Sequence, residues 1–544
     1  MYAELTLSGS YRDTDRQVKS LLAFSTRETF VFTTFFRTCA AIRADRRVRR
    51  VLVHVKPTFN APMPAALEEI RRELVRVSDA GKELVFYATE YRDAHLYLAS
   101  ACSKRALHPL GSIRCTGIAR STLFFKRLAD RLGIRFQVVR RGRYKSAADR
   151  FRLETIDPAN LEQYQRWIDQ AASLIHTTIA SGCGKDRADV DALLAGRTLD
   201  AAEALREGWV DETATIESLR ESWTNEKIRR RTVKTPRSIG RGKRVAVLCL
   251  EGAIVEGRSR VSPLIGQAVG SETFVKQIDS LRRSRRVRAV VLRVNSGGGS
   301  AVASEDIRSA LARLAGEKPL LISMSDVAGS GGYWISMTGS PVYACATTLT
   351  GSIGVIMIAV DAGRALADQG ITHSVIKTHE HADAGTGLRE LTPREIEALD
   401  SQVASVYDRF LHLVADNRNI DVEGVHKRAQ GRIWAGEDAL EHRLVDRIGG
   451  LSDAVEEAQK VAGLRRARIV FVPRIKRSPV ERLLSQGSRT KDLRVHGLLQ
   501  VAATGACLPH AANHPMLIEP AALGVADLLD AGGLDLLNAD FQIE

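Results

Sequence analysis

The sequence predicts an α/β protein built from two tandem copies of one domain, each made of repeated β-α units around a mainly parallel sheet. Three observations carry this. Short apolar strands alternate with amphipathic helices along most of the chain, the pattern of parallel sheets with helical crossovers. Five landmarks recur in the same order about 235 to 240 residues apart. Between the copies lies a stretch of different composition, Thr224 to Arg244, in which nine of 21 residues are Lys or Arg and only Glu226 is acidic; with Pro236 and two glycines it reads as an exposed basic linker.

The elements of the first copy follow in order. Residues 1 to 20 read as a strand and a polar loop, and residues 24 to 45 as a helix. Val51-Leu-Val-His-Val55 has the continuous apolar character of a strand buried on both faces. A helix follows from about Pro64 to Ala80, apolar at Leu67, Ile70, Leu74 and Val77, and Gly81 ends it as helix C-caps do. Glu83 to Tyr87 is the next strand, and another helix begins near Ala94. A strand at Phe136 to Val139 runs into Arg141-Gly-Arg-Tyr-Lys-Ser-Ala147.

The second copy repeats this plan. Arg285 to Val294 matches Arg46 to Val55. The run Asn295-Ser-Gly-Gly-Gly-Ser300 precedes a helix around Ser304 to Leu314, and Pro319 to Ser323 is the next strand. Thr350-Gly-Ser-Ile353 answers Leu110-Gly-Ser-Ile113, Gln369-Gly-Ile371 answers Leu132-Gly-Ile134, and Gly431 to Asp446 answers Gly196 to Asp211. The domain reading is 1–223 for the first repeat, 224–244 for the linker, 245–465 for the second repeat and 466–544 for an extension. That extension opens with a strand at Ala467 to Val472 and holds a short helix after Pro515.

Composition excludes several classes. Hydrophobic content of 44% and charged content of 26% are those of a globular domain with sizeable cores. The net charge of +15 raises nucleic acid and anionic membrane surfaces as partners. The arginines are spread along helical patterns, aromatics are only 6%, and no stacking or zinc motif occurs, so nucleic acid is set aside and peripheral contact with an anionic membrane is kept. The seven cysteines include no Cys-x-x-Cys pair; they read as buried thiols, with neither a disulfide framework nor a metal site. No stretch reaches the ~18 apolar residues of a spanning helix, and the N-terminus lacks a signal peptide's basic and apolar regions. Neither a membrane anchor nor a cofactor is expected.

The chemistry centres on Asp326-Val-Ala-Gly-Ser-Gly-Gly-Tyr-Trp-Ile-Ser336. A serine on a small-residue turn before a buried helix is what an exposed nucleophile needs, and the Gly331 amide could stabilise developing negative charge. The first copy has Ala94, His95 and Leu96 opposite Ser330, Gly331 and Gly332, so only one copy keeps the serine. No histidine lies between Ser330 and His373. Lys145 stands at a strand end in the first copy, where the second has His379-Glu-His-Ala-Asp383. The residues alone leave Lys145 open between a surface lysine and a base whose pKa is lowered by burial.

Val294-Asn-Ser-Gly-Gly-Gly-Ser300, the Ser-Gly-Gly-Tyr-Trp turn, Thr350-Gly-Ser-Ile-Gly354 and Gly142-Arg-Tyr-Lys-Ser-Ala147 together resemble the signal peptide peptidase A (protease IV) family in its tandemly duplicated form, over residues 20 to 465. The resemblance implies a crotonase/Clp-protease-like fold and a serine peptidase with a Ser-Lys dyad. Ser330 would be the nucleophile, Lys145 the general base, Ser352 the residue that orients the lysine, and Gly331 with Gly298 or Gly299 the oxyanion donors. It further implies extended apolar peptide substrates such as remnant signal peptides, and a homo-oligomer, a tetramer in the family. Two departures stand out: Gly297 replaces a proline of the family motif, and no anchor is seen. A cytoplasmic or peripheral membrane location is therefore expected. The rival readings are an acyl-CoA enzyme of the crotonase class, for which residues 327 to 360 supply no carboxylate, and an inactive scaffold of the same fold.

Overall fold

The computed structural model describes residues 1–14, 28–236, 238–262, 266–465 and 467–472. Cys507 and the helix expected after Pro515 lie outside them. The first repeat's sheet is built on β1 (Tyr2–Leu7), β2 (Arg50–Val55), β3 (Glu83–Tyr91) and β4 (Lys104–Arg114), each parallel to the next. Helices α1 (Phe32–Ala44), α2 (Pro64–Asp79) and α3 (Asp93–Ala99) connect them. Then come α4 (Lys126–Arg131), β5 (Arg135–Arg141), the long α5 (Pro158–Cys183) and the edge strand β6 (Thr198–Asp200), antiparallel to β4.

The second repeat carries β7 (Arg244–Glu251), β8 (Val287–Ser296), α6 (Ala301–Ala315), β9 (Leu320–Gly329), α7 (Gly331–Ser336), β10 (Leu349–Gly351), β11 (Val355–Asp361), α8 (Gly363–Asp368), α9 (Pro393–Arg418), β12 (Ile433–Trp434) and α10 (Leu451–Val461). Its sheet runs β12-β10-β9-β8-β7 and continues past residue 465, because β13 (Arg468–Val472) pairs in parallel with β7. The start of the expected extension is thus an edge strand of the second sheet. The α/β class and the two-repeat plan are those read from the sequence.

Local boundaries differ where long-range pairing overrides local pattern. The helix expected from residue 24 begins at Phe32: Thr29–Val31 pairs as a strand with Ser10–Arg12, which carries Phe30 into an aromatic cluster with Tyr11, Phe35 and Phe59. The strand expected to end at Ser323 runs to Gly329, since its last three residues pair with β10. Helix α6 starts at Ala301, before the expected Ser304, because the Ser300 hydroxyl accepts from the Ala303 amide as an N-cap.

The repeats are fused along α2. Its apolar face packs as expected, but Glu68, Glu69 and Glu73 on another face are also buried. Glu69 pairs with Arg293 of β8, which is 1% exposed and also holds Asp13 at 2.9 Å. Glu68 accepts from the Thr347 amide (2.8 Å), Glu73 from the Ser452 hydroxyl, and Asp326 from the Ala66 amide (2.8 Å). Burial pushes the Asp326 carboxyl well above the carboxylate range. One apolar core also crosses the boundary, joining Leu74 and Val77 to Val291, Leu321, Leu451 and Val455.

A second tie is a two-stranded antiparallel ribbon in which β5 pairs with β11 along its whole length, Ile358 opposite Val138. The basic linker is mostly exposed but not loose: Arg231 donates to the Tyr2 carbonyl (2.7 Å), and Ile239 bridges to Ile469. Among the described residues no helix is long and apolar enough to cross a membrane, no group of three His, Cys, Asp or Glu is placed to hold a metal ion, and the cysteines are free thiols.

Candidate active site

Ser330 occupies the single-residue turn between β9 and α7, at φ 52° and ψ −119°. A side chain with positive φ outside the left-handed helical region is strained, and such strain persists only where the surroundings dictate it. Here its amide donates to the Gly351 carbonyl (2.9 Å), and its carbonyl accepts from the Trp334 amide (2.9 Å). Tyr333, Trp334 and Ile335 bury the helix that follows. The glycine pair is dictated by contact: a Cβ on Gly331 would stand 2.5 Å from Ser304 Oγ, and one on Gly332 2.5 Å from the Ser296 carbonyl oxygen. At Gly332 the obstacle is backbone, which cannot rotate out of the way.

The Gly-rich run of the second repeat wraps this turn. Gly298 (φ 106°) lies so close that a Cβ would reach 2.6 Å from the Gly331 nitrogen. Gly299 (φ 150°) forms a bridge to Ile254. The Gly298 amide donates to Ser296 Oγ at 3.1 Å. A side chain at Gly297 would meet nothing within 4 Å, so the departure from proline there is not forced by space.

Lys145 arrives from the other repeat. The β5–β11 ribbon ends at Arg141 opposite Val355, and the loop that follows folds onto residues 430–433. The Tyr144 amide donates to the Gln430 carbonyl (2.8 Å), Arg140 holds the Lys145 carbonyl (2.9 Å), and Gln163 links the Tyr144 carbonyl to the Ile433 amide. Gly431 is packed so tightly beneath the lysine that a Cβ there would lie 2.6 Å from Lys145 Cβ. Lys145 Nζ ends 2.9 Å from Ser330 Oγ, 2.9 Å from the Ser352 carbonyl oxygen and 3.0 Å from Ser352 Oγ. The residue is 5% exposed, and burial alone lowers its pKa to about 7.

Ser352 is itself at positive φ (50°), fixed by a hydrogen bond from its amide to the Arg432 carbonyl (2.7 Å). Its two oxygens can take two N–H bonds of a neutral amine, which leaves the lone pair facing Ser330. The structure thus brings together all six residues singled out in the sequence: Ser330, Lys145, Ser352, Gly298, Gly299 and Gly331.

These residues line a cleft of about 850 Å³. Its lining includes the apolar side chains of Val302, Trp334, Met357, Val403, Val406 and Phe410, and among the described residues no histidine lines it. Two carboxylates invisible to linear reading reach the cleft, Asp149 and Glu256. Asp149 is 3% exposed and engaged by Arg140 (3.2 Å) and Arg152 (2.9 Å); Glu256 accepts from Ser300 Oγ (2.9 Å). Sequence reasoning also missed the Ser352 carbonyl and Gly431. The second had a signal, since Gly431 heads a landmark shared by both repeats.

Comparison with known sequences adds to this geometry. A profile of peptidase family S49 matches residues 76–228 and 312–465, one match in each repeat. Protease 4 of Salmonella typhi is 33% identical over 451 residues, covering 77% of this chain and 70% of that protein. Protease 4 of Haemophilus influenzae is 28% identical over 451 residues, covering 77% and 71%. The chloroplastic serine protease SPPA of Arabidopsis thaliana is 29% identical over 436 residues, covering 77% and 64%.

Proposed function

The chain belongs to peptidase family S49, and from that premise we propose that it is a serine endopeptidase working through a Ser330–Lys145 dyad shared between its repeats. One observation carries the reading: a buried lysine from one repeat lies 2.9 Å from the strained serine of the other, with no charged partner of its own. A lysine can serve as a base near neutrality only when burial holds it uncharged. The neutral amine accepts the Ser330 proton as Oγ attacks the scissile carbonyl. The oxyanion forms against the Gly331 amide and an amide of Gly298 or Gly299; of these the Gly298 amide is engaged by Ser296 Oγ (3.1 Å) and has to leave it to serve. The ammonium then protonates the leaving amine. In the second half-reaction the amine takes a proton from water, which hydrolyses the acyl-enzyme.

Substrates are extended apolar peptides, remnant signal peptides among them, a preference supported by the apolar side chains that line the cleft. The acyl-CoA alternative is disfavoured by the state of the two cleft carboxylates: Asp149 is buried and held by Arg140 and Arg152, and Glu256 accepts from Ser300 Oγ through one oxygen. The test is hydrolysis of an apolar peptide ester by wild type, Ser330→Ala and Lys145→Ala. Loss of roughly 10³-fold or more in kcat/KM is expected for both variants. An inert wild type, turnover of acyl-CoA thioesters alone, or a fully active Ser330→Ala enzyme would refute the proposal.

A further inference from the structure

Charge is laid out unevenly along the cleft. Among the described residues its charged side chains are Arg120, Lys145, Asp149, Arg150 and Glu256. All but Glu256 come from repeat one. Two of these are already engaged. Lys145 faces Ser330 and Ser352, and Asp149 is buried between Arg140 (3.2 Å) and Arg152 (2.9 Å). Arg120 and Arg150 remain, both exposed, as the free charges of the repeat-one wall. Among the described residues neither guanidinium is paired with a carboxylate.

The fold holds both arginines in place. In the helical turn Asp149–Arg152, Asp149 and Phe151 are buried, and the Phe151 ring stacks on Phe125 and Phe136 at centroid distances of 5.9 and 4.8 Å. Arg150 between them is left outside, and its carbonyl accepts from the Phe125 amide (2.6 Å). Arg120 follows a segment anchored by Asp93, which accepts from the amides of Thr116 (2.9 Å) and Gly117 (3.2 Å). Its guanidinium lies 4.0 Å over the ring of Tyr164 on α5, a cation–π contact that positions the charge without neutralising it. Asn160 lies on the same face of α5, four residues before Tyr164, and also lines the cleft. Its Oδ1 accepts from Gln163 Nε2 (2.8 Å), so the part of it left to bind a ligand is its amide nitrogen, a donor.

We infer that this wall is an anion subsite, in which Arg120, Arg150 and the Asn160 amide bind a carboxylate of the peptide whose apolar side chains fill the rest of the cleft. The groups left free there are donors, and arginine's forked N–H groups match both oxygens of a carboxylate. The carboxylate can be an Asp or Glu side chain, or the C-terminus of a peptide already released from a longer chain. In either case the substrate is apolar with one negative group, and Glu256 on the repeat-two wall disfavours binding that group at the other side. With the second source the enzyme prefers released fragments to intact chains, and the reaction that supplies its substrate is an earlier proteolytic cut. The inference rests on the peptidase reading for its chemistry, but the binding it describes can be measured without turnover.

The test uses the full chain and a set of amidated apolar peptides with one Glu walked along the sequence, each against its Gln counterpart, together with one all-apolar peptide as free acid and as amide. At low ionic strength wild type is expected to show kcat/KM roughly tenfold higher for the charged member of at least one pair, falling toward parity as salt is raised to about 0.5 M. A preference in a Glu pair identifies a side chain as the source, and one confined to the free acid identifies the C-terminus. Arg120→Gln/Arg150→Gln should bring the ratio to within about twofold, and Arg120→Glu/Arg150→Glu should pass the preference to a Lys-bearing peptide. Fluorescence anisotropy of the same peptides on Ser330→Ala should give the same order of binding. A wild type that cuts both members of every pair alike, or a preference that survives loss of both arginines, overturns the inference and leaves the dyad standing. A wild type that cuts no peptide but binds the charged members through the arginines overturns the dyad and upholds the subsite.

Discussion

Replacing Lys145 by methionine tests the buried amine without depending on any substrate. The structure holds its pKa at about 7, against 10.5 for an ordinary lysine. In the unfolded chain the amine keeps its proton up to the ordinary value, so the folded state disfavours a charge that the unfolded state prefers. Below about pH 7 both states are protonated and folding carries the full cost, roughly 5 kcal/mol. Between about 7 and 10.5 the unfolded chain binds more protons, and stability rises by about 1.4 kcal/mol per pH unit. Above 10.5 the cost is gone. Methionine fills the same volume and cannot charge. It also forfeits hydrogen bonds to the two Ser352 oxygens, about 1 kcal/mol each, independent of pH. The stability gained by Lys145→Met over wild type should therefore shrink by roughly 2 to 3 kcal/mol between pH 6.5 and pH 9. Urea unfolding of both proteins at a fixed concentration, followed across that range, reads this difference directly, since other titrations cancel. A gap that does not change with pH would mean that the lysine is charged in the folded protein and no base at neutrality.

Under the proposed dyad the same amine sets the pH profile of catalysis: kcat/KM of wild type should rise as pH climbs through about 7 and level off above it, and a profile flat from pH 5 to 9 would contradict the dyad. Ser352→Ala removes one acceptor that favours the charged amine, so the profile should move to lower pH while kcat falls roughly tenfold as the lone pair loses its orientation; pH-rate curves for the variant check both. Gly431→Ala should reduce kcat at least tenfold, because a methyl group 2.6 Å from Lys145 Cβ displaces the lysine; steady-state kinetics check this. Arg293→Leu leaves Asp13 and Glu69 buried without their cation, which should cost roughly 3–5 kcal/mol in an unfolding titration, while an exposed substitution such as Arg288→Leu changes little.

What could be read from the sequence was local or repeated. Apolar β-branched runs such as Val51 to Val55 fixed the central strands, and the landmarks common to both halves fixed the duplication. Ser330 was legible because its turn demands small neighbours on both sides. Lys145 was not legible from its own surroundings. Its burial comes from Gln163, Tyr144 and residues 430–433, and nothing in Gly142-Arg-Tyr-Lys-Ser-Ala147 encodes that they meet; the absent histidine and the family resemblance supplied it. The β5–β11 ribbon was hidden for the same reason, since a strand pattern does not name its partner. The acidic face of α2 was hidden differently. Glu68, Glu69 and Glu73 look like a solvated face, and only the arrival of Arg293, Thr347 and Ser452 makes their burial tolerable. At Phe30 a strand pairing from residues 10–12 overruled the helical pattern.

The ribbon that carries Lys145 across to Ser330 also has a consequence in time. The two groups are 185 positions apart in the chain. A chain emerging from the ribosome folds its first repeat while the second is still being made. During that interval the cell holds an amine with no serine to serve. If the second repeat were freed by a cut in the basic linker and the halves came apart, its serine would face solvent with no amine beside it. Under the proposed dyad, competence to cut peptides is therefore withheld from every fragment and every unfinished chain, and it arrives only when both repeats have folded together. A peptidase built on that dyad gains from this the protection that others obtain from a removable pro-segment, and it needs no second enzyme to lift it.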